Sequence, residues 1–112
     1  MGETNAPDLL PGTLDLLILK ALAGGAKHGY GIVEQLRLAS GDVLHVGESA
    51  LYPALQRLLL NGWATARWGT SENNRRARYY ALTATGRRQL TVERAEFDRL
   101  IGAIQRVLSA TS

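Results

Sequence analysis

The residues of this chain best placed to do chemistry are its arginines. Seven of them (Arg57, Arg67, Arg75, Arg76, Arg78, Arg87 and Arg88) fall between positions 57 and 88 against a single acid, Glu72, a local net charge of +6. Residues 1–56 hold three basic and six acidic side chains, net −3, and residues 89–112 are balanced. The +3 of the whole chain is therefore a local property of its middle. A guanidinium is a planar fork of donors matched to phosphate. Arg75 and Arg76 are adjacent and follow Asn73 and Asn74 in a turn-forming cluster, Thr70 to Arg76. Neighbouring arginines on a turn do nothing for a core, so their expected use is contact with a nucleic-acid backbone or minor groove. Arg78 opens the run that follows, placed either to meet a phosphate or to pair with Glu72.

Catalytic and metal chemistry find no comparable footing. The chain has no cysteine, which excludes disulfides, thiolate metal sites and thiol nucleophiles. His28 and His45 have no carboxylates at ligand spacing, so no metal is expected. Serine, histidine and aspartate occur as scattered singles, and Gly24-Gly25 lacks the following Lys-Ser/Thr of a phosphate-cradling loop. The expectation is a protein that is not an enzyme and needs no cofactor.

With 112 residues, 46% hydrophobic and 21% charged, the chain suits one folded domain with a real core. No apolar run approaches the ~18 residues of a membrane span. The polar start, with two acids, does not read as a secretory signal, so the cytoplasm is the expected location.

The elements that must position the arginines follow from periodicity. Residues 1–10 read as a flexible N-terminal segment. Leu14, Leu17, Ile18, Ala21 and Leu22 give a helix that Pro11 or Thr13 can start and Gly24-Gly25 stops. A second helix runs from about His28 to Ser40, with Ile32, Val33, Leu36 and Ala39 on one face. Asp42–Glu48 is a connector whose valines could pack or pair. Ser49 is the expected cap of a third helix that ends at Asn61-Gly62, with Pro53 tolerated only in the first turn. Trp63–Gly69 and Arg78–Leu82 read as a hairpin with a long basic tip. Thr83 caps a final helix to about Leu108, in which Leu90, Phe97, Ile101, Ile104 and Leu108 form a heptad-like seam that Leu100 broadens. Three helices, a hairpin and a helix define an α+β, mainly α chain: a winged helix-turn-helix over residues 11–83 and a C-terminal dimerisation helix over 84–112. In that arrangement the third helix enters the major groove of DNA and the hairpin tip reaches the backbone.

The residues also carry a likeness. Gly12-Thr-Leu-Asp-Leu-Leu-Ile-Leu-Lys-Ala-Leu, His28-Gly-Tyr-Gly-Ile, Leu51-Tyr-Pro-Ala-Leu-Gln-Arg-Leu, Gly62-Trp and Arg78-Tyr-Tyr-Ala-Leu-Thr with Gly86 resemble, in order and spacing, the PadR family of bacterial transcriptional regulators. The stretch from Trp68 to Tyr80 looks like a branch of that family common in acidobacteria and related soil bacteria. The resemblance implies a homodimeric repressor with a short, single-helix C-terminal region. The chain departs from the family at Ser49-Ala50, where Gly-Thr is common, and at Phe97, where small relatives carry a tryptophan that lines a ligand pore.

On this reading the DNA contacts are Lys27, His28 and Tyr30 at the start of the second helix, where N–H groups attract phosphate; Ser49, Tyr52 and Arg57 on the third helix; and Asn74, Arg75, Arg76 and Arg78 on the hairpin. The partner is double-stranded DNA bearing an inverted repeat. Leu90, Phe97, Leu100, Ile101, Ile104 and Leu108 are the expected dimer interface. Leu9, Leu10, Leu14, Val92, Phe97 and Ile101 are the expected lining of a site for a planar hydrophobic effector. The competing reading is a winged-helix protein–protein interaction module without DNA binding, which would not need the arginine tip.

Overall fold

The structure, a computed structural model, describes residues 12–111. Helix α1 (Thr13–Ala23) follows Gly12, whose φ of 86° no other residue type adopts readily. Its stripe is as broad as the sequence suggests: Leu16, Ile18, Leu19, Ala21 and Leu22 are all buried. Pro11, the other expected start signal, lies outside the described residues, as do Leu9 and Leu10.

After α1 the chain forms a two-residue strand, β1 (Lys27–His28), which the sequence reading misses because two residues carry no period. Helix α2 (Gly29–Ala39) follows at once, capped by His28, whose Nδ1 accepts the Gly31 N–H at 3.0 Å. Beyond the cap residue Ser40 the chain turns away through Gly41 and Asp42, both left-handed, and Arg37 bridges Glu34 and Asp42 across that end. The connector forms no strand. Val46 packs on the core, whereas Val43 is exposed.

Helix α3 (Glu48–Leu60) corrects the expectation at its start. Gly47 is the cap residue and no side chain caps the helix. Ser49 is already inside, so its hydroxyl is not a cap. Pro53 lies inside the helix rather than in its first turn. Having no N–H, it leaves the Ser49 carbonyl without its helical donor. Both residues are exposed, so water can satisfy the carbonyl.

Strands β2 (Ala64–Thr70) and β3 (Arg76–Leu82) pair antiparallel, and β1 adds to the other edge of β3, giving the order β1-β3-β2. The hairpin reaches two residues closer to its tip than expected on the β3 side. The tip is tight: Ser71 N–H donates to the Arg75 carbonyl at 2.7 Å, and Asn74, at φ 59°, donates to the Ser71 carbonyl at 2.9 Å. Helix α4 (Ala84–Ser109) begins as predicted, with Thr83 Oγ1 accepting from Gly86 N–H at 2.9 Å while its hydroxyl donates to the Gly62 carbonyl at 2.7 Å.

The core lies where α1, α2, α3 and the sheet meet. Ile18, Leu19, Leu22, Ile32, Leu51, Leu55 and Leu58 are essentially inaccessible. Each contributes roughly 1.5–3 kcal/mol of burial free energy. Tyr80 is buried, and Trp63 and Leu82 pack on the helices, which gives the hairpin the support a two-stranded ribbon lacks by itself.

Candidate nucleic-acid interface

The start of α2, the middle of α3 and the hairpin tip converge on one cleft of about 310 Å³, lined by His28, Tyr30, Tyr52, Glu72, Arg75 and Arg76 among others. Residues from three separate parts of the sequence meet there. The close approach depends on Gly29. A Cβ at that position would stand 2.8 Å from the Tyr52 hydroxyl oxygen and 3.3 Å from Leu51 Cδ2, so a side chain there would push the Tyr52 ring from its place against α2. Tyr52 is the fifth residue of α3, a position deeper than the first turn expected from the sequence. Burial, followed by the nearby Glu48, pushes its phenol pKa up, so the hydroxyl remains a proton donor.

The His28 ring has its tautomer set by its cap. Because Nδ1 accepts from Gly31, a neutral ring carries its hydrogen on Nε2. That nitrogen faces Glu72 Oε1 at 3.3 Å and donates to it. The Glu72 carboxyl is held below its ordinary range by its own backbone N–H and then by His28. A carboxylate thus stands in a cleft otherwise bordered by cations and donors. Tyr79 completes the contact, packed edge-on to His28 at 5.2 Å with its hydroxyl donating to the Thr70 carbonyl at 3.0 Å.

Five expected contact residues stand apart from this cleft. Lys27 turns its ammonium to the Ala21 and Gly25 carbonyls at 2.8 and 3.3 Å, closing the end of α1. Arg57 grips Asp15 through Nε and one terminal nitrogen at 3.0 and 2.7 Å, tying α3 to α1. Ser49 is exposed on α3. Arg78 does not pair with Glu72 and instead sits over the Tyr80 ring at 5.8 Å. Asn74 occupies the left-handed position of the tip. Glu72, Tyr79 and Trp68 are the residues of this region that sequence reasoning did not single out as a site. Only Glu72 had a visible signal, as the lone acid among the arginines.

On the opposite side, α4 lies across α1. Leu90 packs against the core of its own chain, so that end of the seam is intramolecular. Leu100, Ile104 and Leu108 are exposed, at 48%, 38% and 79%, as is Val107. A cleft of about 360 Å³ between α1 and α4 is lined by Leu16, Trp63, Glu93, Glu96, Phe97 and Leu100, together with polar neighbours. Of the described residues expected to line an effector site, Phe97 alone is there. Leu14 packs on the core, Val92 is half exposed elsewhere on α4, and Ile101 lies further along that helix. The cleft also carries more carboxylates than the apolar lining expected.

Among the described residues no group of His, Asp and Glu could hold a metal ion, and no helix is long and apolar enough to cross a membrane.

Three helices, a hairpin braced on them and a basic cleft between hairpin tip and third helix define a winged helix-turn-helix protein. Residues 18–92 match the model of the transcriptional regulator PadR-like family, and the chain belongs to that family. Its fold is similar to a transcriptional regulator from Clostridium thermocellum, with 28% identity, a TM-score of 0.77 and coverage of 85% of this chain and 92% of that one. It is also similar to a PadR family transcriptional regulator from Eggerthella lenta, with 26% identity, a TM-score of 0.76 and coverage of 89% and 85%. An uncharacterized protein of Lysinibacillus sphaericus is 27% identical over 97 residues, 84% of this chain and 89% of its own length.

Proposed function

We propose that this chain is a homodimeric DNA-binding repressor, with residues 11–83 as the DNA-contacting part and 84–112 as the dimerisation helix. The observation that carries the reading is the convergence of Tyr52, His28, Arg75 and Arg76 on one cleft beside the exposed flank of α3. Donors from a recognition helix, a helix N-terminus and a hairpin tip suit one groove and its flanking phosphates. A protein-docking module would have no use for that arginine pair.

A two-fold dimer presents two copies of α3, so the preferred duplex is an inverted repeat with half-sites roughly 10 base pairs apart, centre to centre. The exposed Leu100, Ile104, Val107 and Leu108 support α4 as the dimer contact. Ile104→Asp puts a carboxylate into that interface at a cost of several kcal/mol. Sedimentation is expected to show a dimer for the wild type and a monomer with unchanged helical content for the variant. A variant that sediments as a dimer would refute the interface. A planar hydrophobic compound seated by Phe97 between α1 and α4 would release DNA by favouring a protomer angle that misplaces the two α3 helices. Trp63 lines that cleft, so its fluorescence reports the binding.

Glu72 stands where a phosphate would meet His28, and the pair competes with DNA. Glu72→Gln is expected to tighten binding to random duplex by about threefold to tenfold and to steepen the salt dependence, by fluorescence anisotropy. The group's pKa is lowered in the folded protein, so its contact is present above the ordinary carboxylate range and is lost only as pH falls through the lowered value. Equal affinities of the two proteins near neutral pH would dismiss the competition.

A further inference from the structure

Trp68 is 59% exposed on the flank of the hairpin. Its partner is a cation: the Arg76 guanidinium carbon lies 4.4 Å from the ring centroid, within cation–π range. The strand register accounts for the contact. Trp68 stands opposite Arg78 and Thr70 opposite Arg76, so Trp68 and Arg76 are diagonal neighbours on one face. Arg78 shares that face and sits over the ring of Tyr80. Tyr80 is buried, which marks this as the face turned toward the helices. From tip to core the face therefore carries Arg76, then Trp68 and Arg78 side by side, then Tyr80, so cations and aromatics are interleaved. Tyr79 and Ala77, one residue out of phase, point the other way.

We propose that this face of the hairpin shaft is a phosphate-tracking surface and that Trp68 is the positioning residue for Arg76 within it. The inference rests on the DNA-binding reading above and extends the interface beyond the cleft at the tip. Stacking occupies the π face of a guanidinium and leaves the N–H donors along its edge free. A stacked arginine has already given up rotamer freedom that a free one would lose on meeting a phosphate. Arg76 and Arg78 are two strand residues apart, roughly 6.8 Å. That is comparable with the spacing of successive phosphates along one DNA strand. The partner is thus the backbone flanking the groove that α3 faces, recognised by charge and not by base sequence.

The test is a double-mutant cycle on a random-sequence duplex, read by fluorescence anisotropy over a range of salt concentrations. Trp68→Leu is expected to weaken binding about threefold to tenfold and to reduce the salt slope by up to about 1 unit. In an Arg76→Gln background the same substitution is expected to add less than about twofold, and Trp68→Phe, which keeps a π face, is expected to restore binding to within about twofold of wild type. Equal losses in both backgrounds, no loss for Trp68→Leu, or a loss with an unchanged salt slope would each overturn the positioning role. Failure of the wild type to bind the duplex would remove the DNA-binding reading and the inference with it.

Discussion

Gly86→Ala is expected to destabilise the protein by about 3 kcal/mol, a drop of roughly 12–24 °C in the thermal midpoint for a domain of this size. Gly86 is the one buried position assigned to α4. A Cβ there would collide with the Trp63 carbonyl oxygen and press on Leu82 Cδ1. The carbonyl is backbone and cannot swing away. It is already held, since it accepts the Thr83 N–H at 3.0 Å, and Thr83 in turn bonds the Gly62 carbonyl. The first turn of α4, the turn after α3 and the cap form one knot, and a methyl group forces α4 off it. Thermal unfolding by circular dichroism at matched protein concentration is the measurement, because the midpoint of any chain that self-associates depends on concentration. A midpoint within a few degrees of wild type would mean that the start of α4 docks more loosely than described.

Arg75→Ala/Arg76→Ala is expected to weaken binding to selected and random duplexes alike, on the order of tenfold or more at physiological salt. The slope of log affinity against log salt is expected to fall by about 1 to 2 units, one for each lost phosphate contact. Both residues are exposed and contribute nothing to the core, so the fold is untouched. Tyr52→Phe makes the contrast: removing one hydroxyl from α3 changes preference among sequences and leaves the salt slope in place. A double-arginine variant with the wild-type slope would show that the hairpin tip does not meet phosphate.

Two of the contacts that decide where these side chains go join residues far apart in the chain, and a third crosses the hairpin. His28 meets Glu72, Arg57 meets Asp15, and Trp68 stacks with Arg76 across a hairpin. No window of sequence contains the first two. The Arg57 ion pair shows the consequence most clearly. As a residue type on the third helix it was a reasonable phosphate contact, and only the packing of α1 against α3 put Asp15 within 3.0 Å of it. Leu90 is similar. Its place in a heptad seam was legible, but whether it faces its own core or a second chain depends on where α4 lies against α1.

What the sequence by itself determined is the set of properties that are local along the chain. Apolar residues at helical spacing located α1, α2 and α4 to within about a residue, because a buried face must recur every turn whatever it packs against. Turn chemistry located the hairpin and its tip, Thr83 announced the last helix, and the arginine excess was a count. Tertiary structure alone decided the rest. It added β1, which is too short to show a period, moved the cap of α3 from Ser49 to Gly47, and placed Pro53 inside a helix whose burial of Leu51, Leu55 and Leu58 outweighs one missing hydrogen bond. It also gathered His28, Tyr52 and the tip into one cleft and left Lys27 and Arg57 out of it. The reason is the same in each case: periodicity is written between neighbours, whereas a site is made by the way whole elements pack, and that packing is a property of all of them at once.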